Sequence, residues 1–383
     1  MENISDYIKR FGSFRFSEMG ITEADNAVFS RLAYLDLTPY AGMTLSEAAE
    51  KYESGVDSNK ILSETCDLLK EAGNTIRFGY ITIEGCREIV SEDMQTAFYA
   101  VTFAADKKTF FIAFRGTDDK IVSFYEDAKL AYAFPVASQT SALSYVTGEL
   151  QLRDGKFFLG GHSKGGNLAV FAFLFLRDEE KDRIIRVYNN DGPGFPREIA
   201  DILFTRKNCE KIYNLMPEDS IIGRMLSDGG KTKIIKSGAS GAAQHNIFTW
   251  EISGDGFKAA KRFSMFSEYM EDTLTQSLET LEPERMKDAA NAVFEIAKNS
   301  GIKSLKDINI KNYRSLIPAA AEMKKLVDSD ADDIPVIVRT LAKSMVDSMS
   351  VEKIVERSMP EVMSRIDELA EKIKSRNDEN SES

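Results

Sequence analysis

The chain has 383 residues, 43% of them hydrophobic, and a formal net charge of −12. That length accommodates one large core with appendages or two to three domains. The negative balance argues against nucleic acid as a partner, because phosphate binding needs Lys- and Arg-rich surface, and it provides no general attraction to anionic lipid. The three cysteines, Cys66, Cys86 and Cys209, show neither a disulfide framework nor a metal-ligand spacing and point to a reducing compartment.

Positions 1–75 read as helical. Ile4, Tyr7, Ile8 and Phe11 share one helical face, Thr44 and Glu47 have capping-box spacing, and "SNKILSETCDLLKEAGN" ends on a Gly-Asn stop. The N-terminus has no cationic region followed by an apolar stretch, so no signal peptide is expected. The longest apolar run, Leu168–Leu176, is too short to span a bilayer and reads as a buried helix. A soluble cytoplasmic protein is the expectation.

"MQTAFYAVTFAAD" and "KKTFFIAFRGTDD" then read as two strands joined by a polar turn at Asp106-Lys107-Lys108. After a mixed segment comes the strand "KFFLG", a Gly-rich turn and a long helix over 165–178. "DRIIRVYNNDGPGF", "EKIYNLMPEDS" and "KTKIIKSG" are further candidate strands. Strands alternating with helices imply a mostly parallel α/β sheet. From about residue 257 only helical spacing remains. Phe263, Phe266, Met270 and Leu274 form one stripe, Val338, Leu341, Met345 and Met349 a second, and Val362, Ile366, Leu369 and Ile373 a third. The expected organisation is an α/β domain over 1–256, an all-helical extension over 257–376 and a disordered tail over 377–383.

The turn Gly161-His162-Ser163-Lys164-Gly165 fits G-x-S-x-G. A chain this long meets that pattern by chance roughly one time in ten, so the context carries the weight. A strand leads in and a helix leads out, as a nucleophile elbow requires. Glycines on either side let strand and helix approach closely around a strained serine. A serine hydroxyl needs a base. The chain has two histidines, and His162 should point away from its neighbour Ser163. His245, after the last candidate strand, is therefore the candidate base. Asp219 is the first choice for the acid that orients it, Asp191 the second and Glu218 the third. The backbone N–H groups of Lys164 and Thr117 are the candidate oxyanion donors, with Thr117 also offering its hydroxyl. Gly116 permits a tight turn and Arg115 packs or pairs structurally.

"AFRGT", "GGHSKGG" and "MPEDSIIGRM", with His245 following, resemble the oxyanion loop, elbow, acid loop and base of the class three, triacylglycerol-type lipases. "GHSKGGNLA", "EADNAVFSRLAYLDL" and "HNIFTW" are more similar still to a bacterial family of uncharacterised lipase-like proteins, a likeness that reaches to about residue 256. The resemblance implies an α/β-hydrolase fold and a serine ester hydrolase. Ser163, His245 and Asp219 would form its triad and a small-molecule or lipid ester its substrate, with no cofactor and no metal. An inactive hydrolase scaffold serving as an interaction protein is the alternative, as is an acyltransferase using the same residues. The resemblance also implies a lid over roughly 118–150, in which Leu130, Tyr132, Phe134, Pro135 and Val136 are either an apolar flap or fixed core. Lys164 stands where most such lipases carry an apolar residue. Its cation either meets an acidic substrate group or reaches water over a packed stem. Membrane contact is not indicated by charge, and the oligomeric state stays open.

Overall fold

The computed structural model describes residues 2–52, 60–118, 120–280 and 283–304, with isolated positions 307, 321 and 324. The chain divides into two compact units, one comprising positions up to 118 with 122–287 and the other 119–121 with those from 288 onward.

The first unit opens on short helices whose starts are written locally. Asn3 caps α1 (Ile4–Phe11) and Thr22 caps α2 (Glu23–Leu32), each in a reciprocal box with an aspartate three residues on, and Thr44 with Glu47 starts α3 (Leu45–Lys51). Then come α4 (Lys60–Gly73), which stops at the expected glycine, and α5 (Ile76–Gly79). One fully buried ion pair locks this layer. Arg77 Nε donates to Asp25 Oδ1 at 2.7 Å, the Tyr7 hydroxyl donates to the same oxygen at 2.9 Å, and the guanidinium also reaches the Met19 and Gly20 carbonyls.

Seven strands form one sheet in chain order: β1 (Thr82–Ser91), β2 (Thr96–Asp106), β3 (Thr109–Phe114), β4 (Lys156–His162), β5 (Ile184–Asn190), β6 (Ile212–Pro217) and β7 (Lys231–Ile235). β1, β2 and β3 pair antiparallel, and β3 through β7 pair parallel. Helices α6 (Ile121–Lys129) and α7 (Ala137–Leu152) link β3 to β4, α8 (Lys164–Phe175) and α9 (Asp178–Lys181) link β4 to β5, and α10 (Arg197–Leu203) and α11 (Arg206–Cys209) link β5 to β6. The expected mostly parallel α/β sheet is present. β1 was not anticipated, because this edge strand is half exposed and polar and its residues lack an apolar alternation.

Period-two alternation distributes the core to both faces of the sheet. Tyr99, Val101, Phe103, Phe111 and Ala113 pack with Phe29 and the N-terminal helices. Phe98, Ala100, Phe110, Ile112 and Phe114 pack with α7 and α8. Every residue of α8 from Lys164 to Leu174 is buried, which is why its sequence is apolar on all sides.

After β7 come a two-stranded ribbon, β8 (Ile252–Ser253) with β9 (Gly256–Phe257), and then α12 (Met265–Thr280) and α13 (Pro283–Asn299). Of the first expected stripe of the extension, Phe266, Met270 and Leu274 fall on α12 and Phe263 precedes it, and Phe266 is substantially exposed. On α13, Met286, Ala290, Val293 and Ala297 are buried at helical spacing. The stripes at 338–349 and 362–373, and the tail, lie outside the described residues. In the segment expected to be lid or core, the five named residues differ: Pro135 is exposed and Tyr132 and Phe134 are half-buried. Leu130 and Val136 are buried, and the Phe134 ring packs among Phe171, Phe175 and Phe195 at centroid distances of 5.7, 6.1 and 6.2 Å.

Candidate active site

Ser163 stands between β4 and α8 with φ 59° and ψ −133°. A non-glycine residue there is strained and persists only because its surroundings impose it. Its backbone N–H donates to the Asn190 carbonyl at 3.0 Å, and its carbonyl accepts from Gly166 N–H at 2.9 Å. The flanking glycines are required by contact. A Cβ on Gly161 would lie 2.3 Å from the Gly165 carbonyl carbon, and one on Gly165 would lie 2.2 Å from the Phe114 carbonyl oxygen.

β5 lies beside β4, with His162 in register with Asn190, so the residue after Asn190 emerges next to the elbow. That residue is Asp191, buried and at φ 52°, a conformation aspartate tolerates better than most side chains. Its Oδ2 stands 2.7 Å from His245 Nδ1. Its Oδ1 accepts from the Ser220 hydroxyl at 2.5 Å and from Gly223 N–H at 3.2 Å. The structure thus corrects the first choice of acid. Asp219 does not face the His245 ring. Its Oδ2 accepts from Gly241 N–H at 2.6 Å and from the Gln244 amide at 2.9 Å, while its own N–H donates to Gln244 Oε1 at 2.9 Å. Asp219 therefore braces the turn that carries His245. Glu218 pairs with Lys236.

The second histidine supports the first. His162 Nε2 lies 2.7 Å from the His245 carbonyl oxygen, an acceptor only, so Nε2 carries the proton and Nδ1 accepts from the Tyr34 hydroxyl at 3.0 Å. Burial, with His245 and Arg31 nearby, holds the His162 imidazole well below the usual histidine range, so it stays neutral. The two rings lie 4.4 Å apart between centroids. Both nitrogens of the His162 ring are therefore engaged by Tyr34 and the His245 carbonyl. Tyr34, within the N-terminal stretch "EADNAVFSRLAYLDL", was not anticipated as part of the site, because only the fold brings it to position 162.

The "AFRGT" loop abuts the elbow. A Cβ on Gly116 would lie 2.2 Å from the Tyr34 hydroxyl, 2.4 Å from the His162 carbonyl and 3.2 Å from Ser163 Cβ. Arg115 is structural, donating to the Ala33 and Leu35 carbonyls with its guanidinium 3.9 Å over the Tyr99 ring. The Thr117 hydroxyl is committed to Asp127, which leaves its backbone N–H as what the loop can offer a ligand.

Lys164 departs from both readings made of it. Its ammonium neither meets the site nor reaches water. It is buried, 3.1 Å from Glu126 Oε2, 3.2 Å from the Ala97 carbonyl and 3.8 Å from Asp127 Oδ1. Burial disfavours its charge, but Glu126 and Asp127 more than offset that and raise its pKa. Glu126 is fully buried and also accepts from Thr96 Oγ1, Ala97 N–H and Ser138 N–H. Burial alone would favour its neutral form, yet Lys164 and these three donors hold it below the usual carboxylate range.

Among the described residues no helix is long and apolar enough to cross a membrane. No curated protein matches the sequence. Among solved structures the chain is similar to a fungal lipase at 12% identity and TM-score 0.38, covering 64% of this chain and 90% of that one. It is also similar to the propeptide complex of Rhizomucor miehei lipase at 16% identity and TM-score 0.36, covering 55% and 66%. A triacylglycerol lipase from Penicillium expansum is similar at 14% identity and TM-score 0.30, covering 49% and 84%. The mostly parallel sheet with its strand–serine–helix elbow is that of a lipase-like α/β-hydrolase. The Mbeg1-like family model matches residues 72–295, more than half of the chain and the whole run from β1 through the elbow to His245, so the protein belongs to the Mbeg1-like family.

Proposed function

We propose that the protein is a serine hydrolase that cleaves an acyl ester through an acyl-enzyme. Ser163 is the nucleophile, His245 the general base and then acid, and Asp191 the carboxylate that orients it. The observation that carries this reading is the 2.7 Å contact between Asp191 and His245 Nδ1, with Asp191 leaving the strand next to the one that leads into Ser163, itself held at positive φ. With Nδ1–H donated to Asp191, Nε2 is the lone-pair nitrogen that takes the Ser163 proton as Oγ attacks the ester carbonyl. Collapse of the tetrahedral intermediate expels the alcohol, which receives that proton from His245. Water then attacks the acyl-enzyme by the same base and releases the acid. The Thr117 and Lys164 backbone N–H groups hold the oxyanion. The ester is a small molecule or a lipid.

Fluorophosphonate labelling tests the assignment. The folded parent should label at Ser163 and lose labelling on heat denaturation, while Ser163→Ala should not label. Ser163→Ala and His245→Ala should each lower ester turnover by about 10⁴-fold or more, because triad members act as a unit. A folded parent that neither labels nor turns over a panel of esters of graded chain length would favour an inactive scaffold. Acyl products formed on an alcohol or amine in place of water would favour acyl transfer.

A further inference from the structure

Lys164 occupies two positions in the mechanism at once. Its backbone N–H follows the nucleophile and is one of the two oxyanion donors in the proposed function. Its side chain is buried and ends at two consecutive residues of α6, Glu126 and Asp127, at 3.1 and 3.8 Å. Asp127 in turn holds the hydroxyl of Thr117, the residue that supplies the second donor. Glu126 is fixed by three further donors: Thr96 and Ala97 at the start of β2, and Ser138 at the N-terminus of α7.

We propose that the buried Lys164–Glu126 ion pair is a positioning device for the oxyanion hole. It clamps α6 to the elbow so that Asp127 holds Thr117 at a set distance from Lys164 N–H, and Lys164 and Glu126 act as positioning residues without touching substrate. The proposal rests on the hydrolase reading above. Two details of the geometry support it. The ammonium has no route to substrate, so its burial is not explained by recognition. Among the described residues Asp127 Oδ1 is buried without a hydrogen bond and Lys164 is the cation within 4 Å of it, so loss of that cation leaves two adjacent carboxylates without it. Repulsion between them would move the residue that holds Thr117.

The test compares Lys164→Met, which keeps the stem and removes the charge, with Glu126→Gln, and adds the double variant, which removes both charges together and so leaves neither partner unpaired. For each, ester turnover is divided by the number of sites titrated to completion with a fluorophosphonate, so that misfolded protein is not counted. Losing one oxyanion donor outright costs about 10²–10³-fold in kcat. A displaced donor should cost about tenfold to a hundredfold per titrated site, with KM changed by less than about threefold. The double variant should show the same kcat loss even where its melting temperature is close to the parent's. Retention of parental kcat per titrated site in Lys164→Met, or in the double variant if the single one does not fold, overturns the positioning role alone. A parent without labelling or turnover overturns this role and the hydrolase reading together.

Discussion

Asp191→Asn separates the two acids most sharply. Asp191 Oδ1 accepts from Ser220 Oγ and Gly223 N–H, so an asparagine amide will keep its oxygen on that side. Its NH₂ then replaces Oδ2, which lies 2.7 Å from His245 Nδ1. Two donors cannot face each other there, so His245 must present a bare Nδ1 and carry its proton on Nε2. That tautomer cannot accept the Ser163 proton. The same exchange in the serine-protease template costs about 10⁴-fold in kcat, which is about 5.4 kcal/mol at 1.36 kcal/mol per decade. The fold should suffer little, because both Oδ1 contacts survive and the shape is unchanged. Asp219→Asn should behave differently. It loosens the bonds to Gly241 and Gln244 but leaves the His245 ring facing Asp191, so about tenfold in kcat and about 1–2 kcal/mol in stability are expected. The assay is initial-rate hydrolysis of a soluble chromogenic ester. Stability is read from the fluorescence of the single tryptophan, Trp250, which is buried and donates to the Gln244 carbonyl. Near-parental turnover in Asp191→Asn together with loss of turnover in Asp219→Asn would refute the reasoning and restore the sequence's first choice.

Two further outcomes are expected. Gly116→Ala introduces a Cβ within 2.4 Å of both the Tyr34 hydroxyl and the His162 carbonyl, so the oxyanion loop must shift. Ester turnover should fall about a hundredfold while Gly148→Ala, at an open helical site, leaves it unchanged; equal turnover in the two variants would contradict the packing argument. Burial raises the Asp127 carboxyl to about 6, against opposing contributions from Lys164 and the Thr117 hydroxyl and with Glu126 and Asp118 adding to the rise. The folded state therefore binds this proton more tightly than the unfolded one. The corresponding stability is fully present below about pH 4 and is lost as pH rises through about 6. Denaturant titrations between pH 5 and pH 7 should show the parent losing stability relative to Asp127→Asn as pH increases, and a constant difference across that range would count against it.

What could be read from the chain was whatever is encoded over a few neighbouring residues. The capping box at Thr44, the alternation of β2 and β3, the wholly apolar α8 and the glycines around Ser163 each report their own local geometry, because helix starts, pleats and strained turns depend on side chains one to four positions apart. The two-histidine composition narrowed the candidate base to His245 by elimination. The tertiary structure alone decided which carboxylate reaches that ring. Asp191 and Asp219 both follow a strand and sit in polar loops, and only the placement of β5 directly beside β4 puts Asp191 behind His245 and leaves Asp219 to brace the turn. The same holds for Lys164, read locally as a snorkelling side chain or a substrate contact. Its partner Glu126 comes from a helix 38 positions earlier, and a buried charge is tolerable only where a remote part of the fold supplies the countercharge.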